Sequence, residues 1–339
     1  MFKKLVRILL ITTLFLGGNA MAEETLNTKQ KAVSTVAAYA ALGNQTGLKQ
    51  ALIKGLDDGV SVNEFKEILT QTYAYCGFPR SINALGTLMQ VVEERGNKDE
   101  AGKEPSAKPQ GEPIVYGAEN QTKLVGAPVK GKLFEFAPAI DEYLKAHLFG
   151  DIFARDNVDW KMRELATIAM LAVREGVDSQ LDAHINIGKH NGLTDEEVAE
   201  ILAIASKIKA ENVIFGFGEE NPYGQYFIGK SYLQKITTES GVPMFNVTFE
   251  PKCRNNWHIH HKGGQILLVT QGRGWYQAWG EEPRELKPGD VVNIPAETKH
   301  WHGAAKDSWF THIAVEVPSE GGSNEWLEPV TDEEYNKLK

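Results

Sequence analysis

The spacing of apolar residues changes near Gly241, and that change limits the fold more than any other feature of the chain. Upstream the period is helical. Leu165, Ile168, Ala169 and Ala172 fall at i, i+3, i+4 and i+7, which lines one helix face. Downstream come short runs rich in Val, Ile, Phe, Trp and Tyr, separated by Gly and Pro. They are Met244 to Glu250, Gly264 to Thr270, Arg273 to Trp279, Asp290 to Ile294 and Phe310 to Glu316. Such a string predicts a sandwich or barrel. Six of the seven tryptophans lie from Trp257 onward, as a separate β-domain with its own core requires.

The helical part contains a repeat. Lys31-Ala-Val-Ser-Thr-Val-Ala parallels Arg163-Glu-Leu-Ala-Thr-Ile-Ala at an offset of 132 residues. Gly59-Val-Ser-Val-Asn-Glu-Phe-Lys-Glu-Ile-Leu parallels Gly192-Leu-Thr-Asp-Glu-Glu-Val-Ala-Glu-Ile-Leu at an offset of 133. One single-residue gap reconciles the two, which points to an internal duplication. In each copy a glycine, Gly59 or Gly192, stops one helix, and a capping box, Ser61 with Glu64 or Thr194 with Glu197, opens the next. About four helices per copy would make a small bundle. The expected boundaries are 23–97 for the first repeat, 98–134 for a linker rich in Lys, Glu, Gly, Pro and Gln, and 135–238 for the second repeat. The barrel is expected at 241–318. A tail, 319–339, is expected to pack back on it.

The chain opens with Lys3, Lys4 and Arg7, then the largely apolar Ile8 to Leu16, then Ala20-Met21-Ala22. This pattern predicts a signal peptide at 1–22 and a secreted protein, periplasmic in a Gram-negative host, with no membrane contact after cleavage. The formal charge of −9 argues against generic nucleic-acid binding. Two cysteines, Cys76 and Cys253, exclude a disulfide-built scaffold. With 42% apolar residues, disorder is excluded for most of the chain.

Six of the nine histidines lie between His258 and His312. His258 and His260 flank Ile259, and His300 and His302 flank Trp301; on strands, each pair points one way. Two such pairs on facing strands can converge on one metal ion, for which neutral imidazole suits Mn, Zn, Fe, Ni or Co. His261 points away from His260 toward the surface. His312 sits on a late strand, either behind the cluster or in the core.

These residues resemble the cupin superfamily, whose first motif is His-x-His, three or four residues, Glu, six residues, Gly. Here stand His258, His260, Gln265 and Gly272. In the second motif Gly289, Pro295 and His300 fit, while Glu297 replaces a glycine and Ala304 an asparagine; Lys252 stands where a glycine precedes the first motif. The resemblance implies metal ligands His258, His260, Gln265 and His300. The Gln leaves the cation its full charge, which strengthens it as a Lewis acid. This His3Gln pattern is similar to small manganese cupins that include cupin-type hydroxynitrile lyases, which makes Mn the leading ion. It also implies that His302 lies beside the metal in the substrate cavity.

The helical repeats resemble the carboxymuconolactone decarboxylase family, which includes alkylhydroperoxidase-D-like proteins. Arg163-Glu164-Leu165, His184 and Asn191-Gly192 carry the likeness in the second copy, and the segment from Tyr75-Cys76-Gly77 to Ala84 in the first. Glu164 and His184 stand at the family's catalytic Glu and His. Its two cysteines would be Val177 and Gln180; the first copy has Ala32 for the Glu and Ala51 for the His. Cys76 alone cannot complete dithiol peroxidase chemistry. A Glu164/His184 pair remains able to do acid–base work.

The expected architecture is multidomain α + β: two all-α helical bundle repeats followed by a cupin β-barrel (jelly roll). The leading expectation is an exported metal-dependent enzyme with lyase or decarboxylase chemistry on a small carboxylate or hydroxyl/carbonyl compound, with His302 moving a proton. The competing expectations are an oxidoreductase, either a peroxidase or a cupin dioxygenase, and a non-catalytic ligand-binding cupin. The helical family implies a homo-oligomer.

Overall fold

The structure, a computed structural model, describes residues 25–338 except 238 and 240. The expected signal peptide, 1–22, lies outside the described residues. The first repeat is α1 (Thr28–Leu42), α2 (Gln45–Asp57), α3 (Val62–Cys76) and α4 (Phe78–Glu94). Then come α5 (Pro113–Val125), α6 (Lys132–Phe136), α7 (Pro138–Tyr143) and a π-helical stretch, Leu144–Ile152. α8 (Trp160–Ala172), α9 (Asp178–His190) and α10 (Asp195–Glu211) follow. α1 and α8 start 132 residues apart; α2 and α9, and α3 and α10, start 133 apart.

The helix boundaries follow from local chemistry. Ser61 and Glu64 cap α3 reciprocally, the Glu64 carboxylate accepting the Ser61 N–H at 2.7 Å. Thr194 and Glu197 do the same for α10 at 2.9 Å. α1 packs on α8, and the alanines of α1 let the two approach. One core joins both repeats, with Val36, Leu52, Phe65, Ile68, Leu165 and Ile201 buried in it. The fully buried Arg163 of α8 reaches Glu67 of α3 at 3.2 Å, and Arg155 holds the same carboxylate at 2.6 Å. Removing Glu67 would strand a buried guanidinium, so this network fixes how the copies meet.

The C-terminal part has strands β1 (Glu219–Glu220), β2 (Phe227–Ile228), β3 (Ser231–Thr237), β4 (Met244–Phe249), β5 (Arg254–Asn255), β6 (His258–His261) and β7 (Gln265–Gly272). β8 (Gly274–Ala278), β9 (Arg284–Leu286), β10 (Val291–Ile294), β11 (His300–Ala304), β12 (Phe310–Glu316) and β13 (Ser323–Trp326) complete it, before α11 (Asp332–Asn336). One sheet runs β1-β3-β4-β12-β7-β10. In the other, β11 pairs with β8 on one side and with β5 and β6 on the other; β2 pairs with β5 and β13 with β6. All pairs are antiparallel. The sheets enclose Phe249, Leu267, Ile294 and Phe310.

Three stretches of the chain hold elements where the sequence suggested otherwise. α5 stands inside the stretch expected as linker and packs on the π-helical segment through the buried Leu124. β1 to β3 lie inside the range expected for the second helical repeat. Their apolar pattern is weak because β1 is a two-residue edge strand and β3, beside it, is half exposed. β13 lies in the expected tail, yet it pairs with β6. The rest of the tail covers the outer face of β11, where Trp301 packs with Trp257, Val330, Tyr335 and Leu338. The Tyr335 hydroxyl donates to the Ala304 carbonyl at 2.6 Å.

Candidate functional site

Strand register brings the barrel histidines together. His300 of β11 lies directly opposite His258 of β6, with ring centroids 4.1 Å apart. His260 follows two residues after His258 on the same buried face, 5.2 Å from His258 and 5.4 Å from His300. Gln265 opens β7 opposite Glu316 of β12. The turn between β6 and β7 needs Gly264 at φ +90°, where a Cβ would stand 2.4 Å from the Ile294 carbonyl oxygen.

The ring nitrogens are already sorted. The Nδ1 of His258 faces the Asn256 carbonyl at 3.0 Å, and the Nδ1 of His300 faces the Thr298 carbonyl at 2.9 Å. Each carbonyl takes the ring N–H, so each lone pair sits on Nε2. The Nδ1 of His260 stands 3.0 Å from a Glu316 carboxylate oxygen. The other Glu316 oxygen accepts the Gln265 amide N–H at 2.7 Å, which turns the Gln265 carbonyl oxygen away. Both His260 nitrogens, the His300 Nε2 and the Gln265 Oε1 are buried without a hydrogen-bond partner. Histidines whose second nitrogen is held by a carbonyl or carboxylate are the usual form of metal ligands. Burial, reinforced by the neighbouring imidazoles, holds His258 well below its ordinary pKa, and burial brings His300 down to about 4. Both are neutral at pH 7, as ligation requires.

The histidines whose nitrogens lie close enough to share one ion are His258, His300 and His302, and His260 is not in that group. One nitrogen from each of His258, His300 and His302 lies within 4.8 Å of the others. The hydrogen bonding of His302 differs, however. The Asn255 Oδ1 accepts the His302 backbone N–H at 2.9 Å, which orients the amide so that its Nδ2 donates to His302 Nε2 at 3.0 Å. That uses the Nε2 lone pair and leaves the proton on Nδ1, which is buried and unpartnered. The network therefore presents His302 as an N–H donor and His258 and His300 as lone-pair donors. Behind His302 stands His312, with ring centroids 4.8 Å apart and both His312 nitrogens buried without partners. Burial lowers the His312 pKa to about 3. His261 faces outward and bonds Glu297 and Glu325.

His258, His260, Gln265, His302 and His312 line a cavity of about 720 Å³ whose walls include Phe227, Phe249, Leu233 and Trp326. Sequence reasoning missed Glu316 and Asn255. Glu316 follows His312 and Ala314 at alternate positions on β12, so the two-residue period was the available signal.

In the helical part, Glu164 of α8 is fully buried and one of its oxygens lies 2.7 Å from the His184 Nδ1 of α9. Tyr75 of α3, from the other repeat, sets its ring edge-on to His184 at 5.3 Å. Cys76 is half-buried. Burial pushes its thiol up to about 11 although Arg174 and Arg80 pull the other way. Cys253 lies buried in the barrel, and both cysteines are free. No second thiol stands beside Cys76.

Comparison with known proteins agrees with this division. Residues 12–88 and 138–211 match the Carboxymuconolactone decarboxylase family, and residues 245–315 match the Cupin domain. The chain is similar to an (R)-mandelonitrile lyase of Granulicella tundricola, 47% identical over 92 residues, which are 27% of this chain and 70% of that protein. It is 27% identical over 150 residues to an acireductone dioxygenase of Bacillus cereus, covering 42% of this chain and 76% of that protein. Among solved structures, a cupin-like protein of Thermotoga maritima is 43% identical with a TM-score of 0.35, covering 37% of this chain and 96% of that one. The helical repeats thus match the model of the Carboxymuconolactone decarboxylase family, and the chain belongs to the cupins through its C-terminal barrel.

Proposed function

We propose that the barrel is a metal-dependent lyase site for a small hydroxyl or carbonyl compound, with His258, His260, Gln265 and His300 as the metal ligands. The observation that carries this reading is the group of buried, unpartnered lone pairs on His260, His300 and Gln265 beside the neutral His258. Leaving such atoms unpaired costs about 1–3 kcal/mol each, a cost that a bound cation would offset. A divalent ion, with Mn ahead of Zn, Fe, Ni and Co, would supply Lewis acidity toward a substrate oxygen.

The chain's own residues then do three things. The aromatic walls hold an apolar body. The His302 Nδ1–H donates to a substrate oxygen. Neutral His312, with one lone pair and one N–H, takes a hydroxyl proton and returns it to the leaving group. For an α-hydroxynitrile, the hydroxyl proton passes to His312 and the O–H pair becomes the carbonyl π bond. The C–CN pair leaves with cyanide, which takes the proton as HCN. The relative named (R)-mandelonitrile lyase supports this choice of substrate class. The relatives named acireductone dioxygenase favour a second reading, oxygen-dependent cleavage at the same site.

The test is metal analysis of the purified protein, with His258→Ala and His300→Ala, and assay of mandelonitrile cleavage alongside oxygen uptake. The expected result is near-stoichiometric metal lost in both variants, and benzaldehyde release without oxygen uptake. Metal retained by both variants would overturn the site; oxygen uptake would favour the second reading. We further propose export, on the basic and apolar start of the chain, and self-association of the helical region. A secreted form beginning at Glu23 and a multimeric mass by light scattering are the checks.

A further inference from the structure

The helical part and the barrel meet at a second cleft of about 400 Å³, lined by Leu42, Arg80, Val173, Arg174, Lys209 and Gln271 among others. The Gln271 amide of β7 donates to the Lys209 carbonyl of α10 and ties the two parts at its edge. Arginine pairing across the molecule singles this cleft out. Arg95, Arg155, Arg163, Arg254, Arg273 and Arg284 each reach a carboxylate. Among the described arginines only Arg80 and Arg174 have no ion pair or side-chain hydrogen bond, and both are partly buried in the same cleft. The acid that also lines the cleft, Glu175, is 88% exposed and stands 4.0 Å from Lys209.

Room for one guanidinium is built into the backbone. Gly43 closes α1 at φ +71°, and a Cβ there would lie 1.2 Å from the Arg80 Nη1. Arg80 is thereby held at the C-terminal end of α1, where the helix offers partial negative charge but no carboxylate. The acidic chain thus concentrates its two unpaired guanidiniums, with Lys209, in one place.

We propose that this cleft binds a small oxyanion-bearing molecule, a carboxylate or phosphate, between Arg80 and Arg174. Guanidinium forks match such oxyanions bidentately. Leu42 and Val173 contact the apolar remainder of the ligand. The site is separate from the barrel cavity and does not depend on its metal.

Titration calorimetry of the full chain with inorganic phosphate and with succinate, at constant ionic strength, tests this. Saturable binding of either is the expected result, and which one binds separates the two sources. Arg80→Gln and Arg174→Gln should each weaken binding about tenfold or more, the scale of a charge-assisted hydrogen bond. Arg174→Lys keeps the charge and should retain part of the affinity, which covers a Gln variant that fails to fold. Treatment with chelator should leave binding unchanged even where it strips the barrel. Absence of saturable binding for both probes, or equal affinity in wild type and variants, would overturn the proposal.

Discussion

Lys252 and Glu297 stand in the left-handed region, at φ +70° and +65°, at the positions where the cupin pattern carries glycine. A side chain there costs roughly 1–2 kcal/mol. The exposed Lys252 side chain makes no hydrogen bond or ion pair that offsets it. Lys252→Gly should therefore raise stability by about 1 kcal/mol, read as a higher urea midpoint at unchanged m-value. A lower midpoint would refute this. Glu297→Gly should gain less, because its carboxylate also holds His261 at 2.6 Å and the Lys262 N–H at 2.9 Å. The histidines were legible because His-x-His reads directly as one face of a strand. Glu316 was not: it reaches Gln265 only through a pairing between residues 51 apart. Glu316→Ala should free both Gln265 and His260 and weaken metal binding about 10–100-fold, measured by competition with a chelating dye. Unchanged affinity would remove Glu316 from the site.

Among elements, the helices announced themselves and several strands did not. Caps such as Ser61–Glu64 are complete within four residues, so α3 and α10 start where the sequence places them. β3 and β13 are stabilised by partners far along the chain, and their own residues are half exposed. The duplicated helices are also unequal. Glu164 and His184 have only Ala32 and Ala51 at the equivalent positions of the first copy, so one of two pseudo-symmetric places keeps an acid–base pair. At the end of α3, Cys76 follows Tyr75, the residue that packs on His184. Burial raises the Cys76 pKa, so the reactive thiolate is scarce at pH 8 and grows as pH rises toward about 11. Iodoacetamide labelling should be slower than for a small-molecule thiol at pH 8 and climb steeply above it. Rapid labelling at pH 7, located by mass spectrometry, would restore Cys76 as a nucleophile.

The whole molecule has separate cores in its helical part and its barrel, and the candidate metal ligands all lie in the barrel. Calorimetry should therefore resolve two transitions. Metal binding stabilises only the barrel, by about 2.7 kcal/mol when free metal is 100 times its Kd. Chelation should lower one transition and leave the other. Acid should act on the chelated barrel first. His312 has a folded pKa of about 3 against an ordinary 6.5, so below pH 6.5 the unfolded chain binds a proton that the folded barrel does not. Barrel stability then falls from pH 6.5 toward pH 3. In the helical part Glu200 is held at about 2, chiefly by the Leu26 N–H and Lys31 against the opposing effect of burial. Its contribution is fully present above the ordinary carboxylate range and is lost only as pH falls through that range toward 2. Between pH 6.5 and 5 the barrel transition should drop while the helical one holds, and His312→Gln should flatten the barrel's slope. A single transition, or two that shift together on chelation, would mean that the parts unfold as one unit.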